Sequence, residues 1–258
     1  MANKVVYQVD ENVAFLTLNR PEVVNALDPA LSLELQECIQ SIASNKDIKA
    51  VCLSGSGKGF CSGLDLKAFS GNLDKPSDIL DKYFHPVILG LHKLPIPVIG
   101  KLKGMAAGAG ASLLLACDMI IASENAGIAF SFMKIGLVPD CGATWFVKEK
   151  VGYNKAYEIF ATGKTLSAKE ALDLNLVNQV VPENDLDVTA DEMSHCLSKG
   201  PGVALGLMKS NLRQSASPSL EEVLEIEAKA QDIAGATEDF REGVNAFIEK
   251  RMPNYQGK

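Results

Sequence analysis

The chain has 258 residues, of which 47% are hydrophobic and 22% charged, and its formal net charge is −7. These values describe a globular protein that can bury a sizeable core without disulfides or a metal. The acidic balance argues against a general nucleic-acid or anionic-membrane binder, because such proteins need a basic surface. An acidic ligand would have to be received by locally placed Lys and Arg side chains.

The six cysteines and three histidines form no CxxC pair and no metal-ligand cluster. Most cysteines lie in apolar runs such as KAVCLSG, where a free cysteine behaves as a small hydrophobe. We therefore predict a reducing, cytoplasmic location. The N-terminus MANKVVYQVDENV has no signal pattern, and the apolar stretch GMAAGAGASLLLACDMIIAS carries Asp118, which favours a buried helix and strand over a membrane span.

Strand and helix patterns alternate over the first 150 residues. KVVYQVD and VAFLTLN predict a β-hairpin, and DPALSLELQECIQSIASN predicts a helix with Asp28 as its N-cap and Pro29 at its first position. A buried strand, IKAVCLSGSG, comes next. A polar turn is predicted over residues 72–76, followed by a helix in SDILDKYFHPVILGLHKL that a proline interrupts. PIPVIGKLKG and MIIAS predict two more strands.

After Gly152 the patterns are helical, in YNKAYEIFATG, SAKEALDLN, LDVTADEMSHCLSKG, GVALGLMKSNLRQ, LEEVLEIEAKAQDIA and TEDFREGVNAFIEKR. We predict an α/β fold whose sheets are covered by helices. We divide it into a core over residues 1–200 and a helical region over residues 201–258.

Two glycine-rich loops follow buried strands, GSGKGFCSGLDLKAF (55–69) and GMAAGAGAS (104–112). Such loops let a ligand approach backbone N–H groups, but for either loop taken alone tight turns and close helix packing are the favoured explanation. Neither loop matches GxxxxGK[ST] or a convincing dinucleotide fingerprint. A nucleotide-phosphate site is therefore disfavoured.

Three acids occur between Pro97 and Val147. Asp118 is interpreted as a cap or turn residue, and Glu124 lies in the polar turn SENAG. Asp140, in IGLVPDCGATW, is surrounded by apolar residues, where an unpaired carboxylate is costly. It is either the N-cap of the helix ATWFVKEK or a catalytic acid/base. His85 and His92 lie on one predicted helix and His195 on another, and no GxSxG nucleophile elbow occurs.

Taken in order, six segments resemble the crotonase superfamily, also called the enoyl-CoA hydratase/isomerase family: AFLTLNRPEVVNALD, KAVCLSGSGKGFCSGLDLKAF, PVIGKLKGMAAGAGASLLLACDMIIAS, IGLVPDCGATWFVKEKVG, ATGKTLSAKEALDLNLVNQVV and EDFREGVNAFIEKRMPNY. The resemblance covers almost the whole chain. It implies a crotonase-like spiral of strand–strand–helix units with a C-terminal helical trimerisation region. It also implies a homotrimer or dimer of trimers, acyl-CoA thioester substrates, no metal, and no cofactor besides the coenzyme A of the substrate.

The resemblance also assigns roles to residues. The backbone N–H groups of Leu64 and Ala109 would form an oxyanion hole for the thioester oxygen. The remaining matched positions would contact coenzyme A or the substrate: Val24, Ala26 and Leu27 along the pantetheine, Ser62, Asp65, Leu66 and Lys67 toward the adenine, Gly108 and Phe132 elsewhere in the site, and Phe247 and Lys250 near the C-terminus, in some relatives from a neighbouring subunit.

The acids depart from the hydratase pattern. Hydratases of this family use two glutamates, and the matching positions here are Ser112 and Phe132. Hydration needs both acids, because a water must be deprotonated while a proton reaches C2. Isomerase branches, including Δ3,Δ2-enoyl-CoA isomerases and phenylacetate-pathway ring-epoxide isomerases, instead carry an acid where Asp140 stands. The resemblance therefore favours an isomerase with Asp140 as its acid/base.

Two alternatives stay open, namely other thioester chemistry of the family and a non-catalytic acyl-CoA-binding scaffold. The acyl group is also open between a fatty enoyl chain and an aromatic-derived ring. We predict that residues 70–92 contribute to the wall of the acyl pocket. Trp145 is interpreted as a core side chain or as a neighbour of the acyl chain.

Overall fold

The structure is a computed structural model that describes residues 3–69, 75–215 and 219–258. These ranges contain nine strands: β1 (Val5–Asp10), β2 (Val13–Leu18), β3 (Ala50–Gly55), β4 (Val98–Leu102), β5 (Met105–Ala107), β6 (Met119–Ser123), β7 (Gly127–Ala129), β8 (Thr165–Ser167) and β9 (Gln179–Val181). The same ranges contain ten α-helices: α1 (Pro29–Ser44), α2 (Pro76–Ile79), α3 (His85–Lys93), α4 (Ala109–Leu115), α5 (Ala143–Thr162), α6 (Ala168–Asp173), α7 (Leu186–Ser198), α8 (Gly202–Gln214), α9 (Leu220–Gly235) and α10 (Glu238–Glu249). Residues 72–74 of the predicted turn lie outside the described residues.

The strands form two sheets, and the chain passes from one to the other as it advances. The larger sheet has the order β1-β2-β3-β4-β6-β9, and the smaller has the order β5-β7-β8. Only the predicted hairpin β1–β2 is antiparallel in the larger sheet. Strand β4 of the larger sheet leads into β5 of the smaller sheet, and α4 follows. Strand β6 of the larger sheet likewise leads into β7 of the smaller. Each of these turns therefore adds one strand to each sheet. This is the predicted strand–strand–helix spiral.

The prediction that only helices follow Gly152 is wrong for β8 and β9. Each has three residues, and each pairs with a strand distant in sequence, β8 with β7 and β9 with β6. A three-residue run is too short to show the alternation that identifies a strand. The helix pattern itself is confirmed, and α5 has a kink at Gly152, where the backbone is non-helical.

The larger sheet is buried on both faces, as a mostly parallel sheet requires. In β3, Val51 and Leu53 face the main core. The alternate residues Ala50 and Cys52 face a second cluster, which includes Leu186 of α7. This explains why β3 reads as a continuous apolar run rather than an alternating one.

Helix α1 begins as predicted. The Asp28 carboxylate accepts a hydrogen bond from the Leu31 N–H at 2.8 Å and pairs with Lys4 and Arg20. Burial opposes ionisation here, but the Leu31 N–H and the two cations together lower the pKa of Asp28. The residues of the buried helix face are Leu31, Ser32, Leu35, Ile39 and Ile42.

The predicted proline interruption is a π-helical turn over Leu80–Phe84, between α2 and α3. Pro86 has no N–H to donate to the carbonyl of Lys82, one helical turn earlier. The side-chain amide of Gln36 in α1 donates to that carbonyl at 3.1 Å and to the Tyr83 carbonyl at 3.0 Å. Phe84, at the end of this turn, is buried.

Helix α8 is tied to the larger sheet by an ion pair. The Asp118 carboxylate accepts from the Val98 N–H at 2.8 Å and from the Lys209 ammonium at 2.6 Å. Lys209 also donates to the Ile96 carbonyl at 3.1 Å. Asp118 therefore has the structural role that its sequence position indicates.

The C-terminal helices α8, α9 and α10 follow the last strand. The predicted cap of α10 is confirmed, since the Thr237 hydroxyl accepts from the Phe240 N–H at 3.0 Å. Asp239 accepts from the backbone N–H groups of Gln256 and Gly257, which holds the terminal segment against α10. The division between residues 200 and 201 stays a prediction. Among the described residues, no helix has the length and apolarity to cross a bilayer.

Candidate active site

The two glycine-rich loops lie directly against each other. Residues 61–64 make isolated bridges to two neighbours, Cys61 with Ala106 and Leu64 with Leu27. The Ala107 N–H donates to the Cys61 carbonyl at 2.8 Å, and the Leu27 N–H donates to the Gly63 carbonyl at 2.7 Å. These bonds place the 55–69 loop between the start of α1 and the 104–112 loop.

Glycine is required at this contact for two different reasons. A Cβ on Gly110 would lie 2.5 Å from the Cys61 carbonyl oxygen, closer than side chains pack. Gly63 has a φ of +92°, and a Cβ there would lie 2.7 Å from the Ala107 oxygen and 3.4 Å from the Ala109 nitrogen. Close packing therefore accounts for both glycines. It also brings the N–H of Ala109 next to residue 63.

The two predicted oxyanion donors are available to a ligand. Within the described residues, neither the Leu64 N–H nor the Ala109 N–H donates to a backbone carbonyl. Leu64 directly follows Gly63, and Ala109 is the first residue of α4. Gly108, just before it, has a φ of +52°, and a Cβ there would meet open space. Both N–H groups are therefore without a backbone acceptor in the described chain, and their role as an oxyanion hole stays a prediction.

The turn that carries Asp140 is anchored to α4. The Asp140 carbonyl accepts from the Ser112 hydroxyl at 3.0 Å and from the Ala143 N–H at 2.9 Å. Cys141 and Gly142 then both have positive φ, 52° and 83°, and Cys141 is a non-glycine residue in that region. Ser112, the position matched to the first hydratase glutamate, thus holds the backbone of Asp140.

The Asp140 carboxylate does not cap α5, so the N-cap alternative is wrong. Gly142 occupies the N-cap position of α5, and no side chain caps it. Asp140 is partly exposed, but its Oδ1 is buried and has no hydrogen-bond partner among the described residues. Burial raises the pKa of Asp140 above its ordinary value of 3.8, although the Cys141 thiol and His85 act to lower it.

The second hydratase position holds no acid either. Phe132 lies in a 3₁₀ turn and is 6% exposed. Neither position matched to a hydratase glutamate therefore carries an acid. His85, which acts on the pKa of Asp140, pairs through Nδ1 with Asp81 at 2.9 Å.

A small apolar cavity lies beside these groups. Its walls include Ala109 and Cys141, which bring the oxyanion donor and the neighbour of Asp140 to the same space. Phe84 and Val87 form another wall. That residues 70–92 contribute to the acyl pocket stays a prediction. Every residue that lines this cavity is buried. In this structure the cavity has room for about one water.

The residues predicted along the pantetheine lie next to the 55–69 loop. Ala26 and Leu27 are buried, and Val24 has a φ of +51°. The Ser62 N–H donates to the Val24 carbonyl at 2.9 Å, and the Ser62 hydroxyl donates to the Val23 carbonyl at 2.9 Å. The structure therefore brings the predicted pantetheine and adenine segments together.

Asp65 is engaged within the protein rather than open to a ligand. Its carboxylate pairs with Arg20 at 3.0 Å and accepts from the Ala68 N–H at 3.2 Å. Arg20 also donates to the Ala26 carbonyl at 2.6 Å, so this ion pair joins the two segments. The next residue, Leu66, is exposed, as is Lys67. Their contacts with coenzyme A stay predictions.

Three other residues considered for the site, Phe247, Lys250 and Trp145, are exposed. Phe247 is 86% exposed at the end of α10, and Lys250 is exposed just beyond it, so neither packs against the two loops of its own chain. Trp145 is 45% exposed and makes edge contacts with His92 and Phe146. The interpretation of Trp145 as a core side chain is therefore wrong.

Sequence reasoning missed Asn25. Its side-chain amide donates to the carbonyls of Ser56, Gly59 and Phe60 at 2.9, 2.9 and 3.0 Å, which fixes the first glycine-rich loop. Its Oδ1 accepts from the Arg20 N–H at 2.8 Å. An Asn in a turn before a helix does not by itself indicate this role, because the three carbonyls that it contacts lie over thirty residues away in the sequence. Ser32 and Cys141, which line the cavity, were also missed as site residues.

The enoyl-CoA hydratase/isomerase family model matches residues 8–258. The chain is 36% identical over 262 residues to the 1,2-epoxyphenylacetyl-CoA isomerase of Escherichia coli (strain K12), covering 100% of both chains. It is 30% identical to the trans-2-decenoyl-[acyl-carrier-protein] isomerase of Streptococcus mutans, covering 99% of this chain and 98% of that one. The crystal structure of an enoyl-CoA hydratase from Bacillus anthracis superposes with a TM-score of 0.95 at 31% identity, covering 99% of this chain and 100% of that one.

The chain belongs to the enoyl-CoA hydratase/isomerase family. This is a family of enzymes that act on acyl-CoA thioesters, and its fold is the spiral described above.

Proposed function

We propose that the protein is an acyl-CoA isomerase that converts a 3-enoyl-CoA into a 2-enoyl-CoA, or carries out the related ring-epoxide or oxepin rearrangement. The observation that carries this proposal is the carboxylate of Asp140, the residue before Cys141, which lines the cavity. Asp140 has a buried, unpartnered Oδ1, whereas the two hydratase positions hold Ser112 and Phe132. The similarity to the E. coli 1,2-epoxyphenylacetyl-CoA isomerase supports it.

The reaction needs one acid/base and one oxyanion hole. The N–H groups of Leu64 and Ala109 hold the thioester oxygen while the Asp140 carboxylate removes a proton from C2. The electron pair of that C–H bond forms a dienolate with the C3=C4 bond, and negative charge develops on the oxygen between the two donors. The protonated Asp140 then delivers its proton to C4, which leaves the double bond between C2 and C3.

No water takes part in this reaction. Asp140 is partly exposed and residues 133–138 before it are exposed, so the exclusion of water would depend on other side chains. Phe132 is buried where hydratases carry an acid, and the cavity walls are apolar. Hydration would need a second carboxylate to orient and deprotonate a water. The second candidate function is hydration or other thioester chemistry of the family. The similarity to the B. anthracis enoyl-CoA hydratase favours this candidate.

A comparison of two substrates separates these candidates. We expect the purified protein to convert 3-hexenoyl-CoA into 2-hexenoyl-CoA, followed by the absorbance of the conjugated thioester. With crotonyl-CoA we expect water addition to be slower than isomerisation by about 10²-fold or more, because one member of the acid pair is missing. Rapid hydration of crotonyl-CoA would overturn the isomerase assignment. Tight binding of coenzyme A with no turnover of any enoyl-CoA, epoxide or oxepin substrate would favour a binding scaffold.

The pH dependence of kcat/KM should report Asp140. Its pKa is raised by burial, and the carboxylate must be ionised to take the C2 proton. Activity is therefore expected to fall as pH decreases through a midpoint above 3.8, the ordinary value for Asp. The variant His85→Gln should move this midpoint upward, because His85 acts to lower the pKa of Asp140. If His85→Gln left both the midpoint and the shape of the acid limb of kcat/KM as they are in the wild type, the assignment of that limb to Asp140 would be contradicted.

We further propose that the protein is a homotrimer or dimer of trimers, that coenzyme A enters only as part of the substrate, and that no metal takes part. Phe247 is 86% exposed, which suits a side chain that meets coenzyme A or a neighbouring subunit. The cytoplasmic location inferred from the unpaired cysteines stays a prediction.

A further inference from the structure

An ion pair lies next to the first predicted oxyanion donor. Arg20 donates through Nη2 to the Asp65 carboxylate at 3.0 Å, and Asp65 directly follows Leu64. Both side chains of this pair are only 15% exposed. The reaction assigned to Asp140 uses neither charge. Because desolvation offsets much of the attraction in such a pair, net stability is a weak reason for its presence.

The direction of the Leu64 N–H is set by the peptide to which it belongs. The carbonyl of that peptide, from Gly63, accepts from the Leu27 N–H at 2.7 Å. The peptide bonds of the described chain are all trans, so the carbonyl and the N–H of one peptide point in opposite directions. The Leu64 N–H therefore points away from Leu27. The Asp65 N–H donates back to the Leu27 carbonyl at 3.0 Å, so the backbone is held on both sides of Leu64.

The second predicted donor is oriented in the same way. The Gly108 carbonyl accepts from two N–H groups of α4, at 3.0 and 3.2 Å. The Ala109 N–H belongs to the same peptide as this carbonyl, so it points away from the helix. The segment that carries Leu64 lies between the start of α1 and the loop that carries Ala109. The relation of the two N–H groups therefore depends on how firmly that segment is held.

Arg20 ties the side chain of Asp65 to the segment that also holds its backbone. Its Nη1 donates to the Ala26 carbonyl at 2.6 Å, one residue before Leu27, and pairs with Asp28 at 3.3 Å. Asp65 is thereby held by its N–H at Leu27 and by its carboxylate at Arg20. The planar guanidinium reaches these partners at once, whereas a lysine ammonium is a single point of charge on a flexible stem.

We propose that Arg20 is a positioning residue for the oxyanion hole, which acts through Asp65 to fix the direction of the Leu64 N–H. The proposal rests on the oxyanion hole of the isomerase function, and it adds a side-chain requirement to a backbone donor. Asp28 has a second cation in Lys4, so loss of Arg20 breaks the ion pair of Asp65 while Asp28 keeps a partner. A small displacement is sufficient, since a shift of about 1 Å at a reacting group can cost about 10²-fold in rate.

The first test is kinetic and includes a matched carboxylate. Asp65→Asn and Arg20→Gln should each lower kcat for 3-hexenoyl-CoA by about 10–10²-fold, with the Kd for butyryl-CoA changed by about twofold or less. The double variant should be within about twofold of the slower single variant, because both residues act through one contact. Asp118→Asn is the control, since Asp118 likewise accepts from a backbone N–H and a cation. It should lower Tm and leave kcat unchanged.

A conservative variant guards against a misfolded protein. Arg20→Lys keeps a cation between the two carboxylates, so its Tm should stay close to that of the wild type. Its kcat should still fall, because an ammonium does not hold the Ala26 carbonyl and the Asp65 carboxylate in one fixed geometry. Wild-type kcat in both Arg20→Lys and Arg20→Gln would overturn the proposal. A loss confined to Kd would also overturn it and would instead indicate that Asp65 contacts coenzyme A.

Infrared spectroscopy separates this proposal from the isomerase function. The probe is butyryl-CoA labelled with carbon-13 at the carbonyl, whose stretching frequency falls when the oxygen accepts hydrogen bonds. We expect binding to the wild type to lower this frequency, and binding to Arg20→Gln to give about half of that shift or less. An equal shift in both proteins, or none in the wild type, would overturn the proposal. If the shifts differ but no 3-enoyl or epoxide thioester is isomerised, Arg20 keeps its role and the isomerase assignment falls.

Discussion

Replacement of Asp140 by asparagine is expected to lower kcat for isomerisation of 3-hexenoyl-CoA by about 10²–10⁴-fold, the usual contribution of a general acid/base. The amide keeps the size of the side chain but can neither take the C2 proton nor return it to C4. Binding of a saturated acyl-CoA should be unchanged, because the two oxyanion donors are backbone groups of other segments. The measurement is steady-state kinetics together with a Kd for butyryl-CoA.

The same variant should be more stable than the wild type at neutral pH. The folded-state pKa of Asp140 is raised, so the buried carboxylate is costly above that pKa and costs nothing below the unfolded value of 3.8, where both states are protonated. The gain in Tm of Asp140→Asn should therefore shrink as pH falls through the folded-state pKa. Unchanged activity would contradict the role of Asp140, and loss of both activity and stability would instead mean a misfolded turn.

Replacement of Gly110 by alanine is expected to lower kcat by about 10²–10³-fold, the effect of losing one oxyanion donor. The added Cβ would lie 2.5 Å from the carbonyl oxygen of Cys61, so the two glycine-rich loops must move apart. Because Leu64 and Ala109 lie on opposite sides of this contact, the separation would open the oxyanion hole that we propose for their N–H groups. The rate is measured with 3-hexenoyl-CoA, and circular dichroism confirms that the variant is folded.

Gly235→Ala is a matched control for this change. Gly235 also lies in a helix, at the end of α9, and a Cβ there meets nothing within 4 Å. Alanine should stabilise the helix at this position by about 0.5–1 kcal/mol and leave kcat unchanged. If both variants kept full activity, the approach of the two loops would have no part in catalysis.

The elements that could be predicted from sequence are those whose signals are local. The hairpin β1–β2 and the strand β3 have apolar runs of sufficient length, and α1 combines a capping Asp28 with a proline. The strands β5, β7, β8 and β9 have three residues each in the described chain, and their pairing depends on partners that the spiral brings together. Local patterns cannot identify such strands.

The same distinction applies to the site. Asp140 could be identified because a lone acid in a stretch of apolar residues is unusual. The resemblance to the family then suggested the reaction that this acid would catalyse. The cavity could not be found, since its walls come from α1, the π turn, α4 and the Asp140 turn. Ser32 is a modest interruption of an apolar helix face in the sequence. Only the packing of those segments shows that its hydroxyl is buried and unpartnered.

The hydrogen bond from Ser112 to the Asp140 carbonyl also constrains how this lineage can change. Ser112 is fully buried, so a glutamate placed there would lose the anchor of the turn that carries the present acid and would have to make its own space. A Ser112→Glu substitution would therefore disturb the turn that carries Asp140 before a second acid could act. The packing around Ser112 therefore opposes a glutamate at this position.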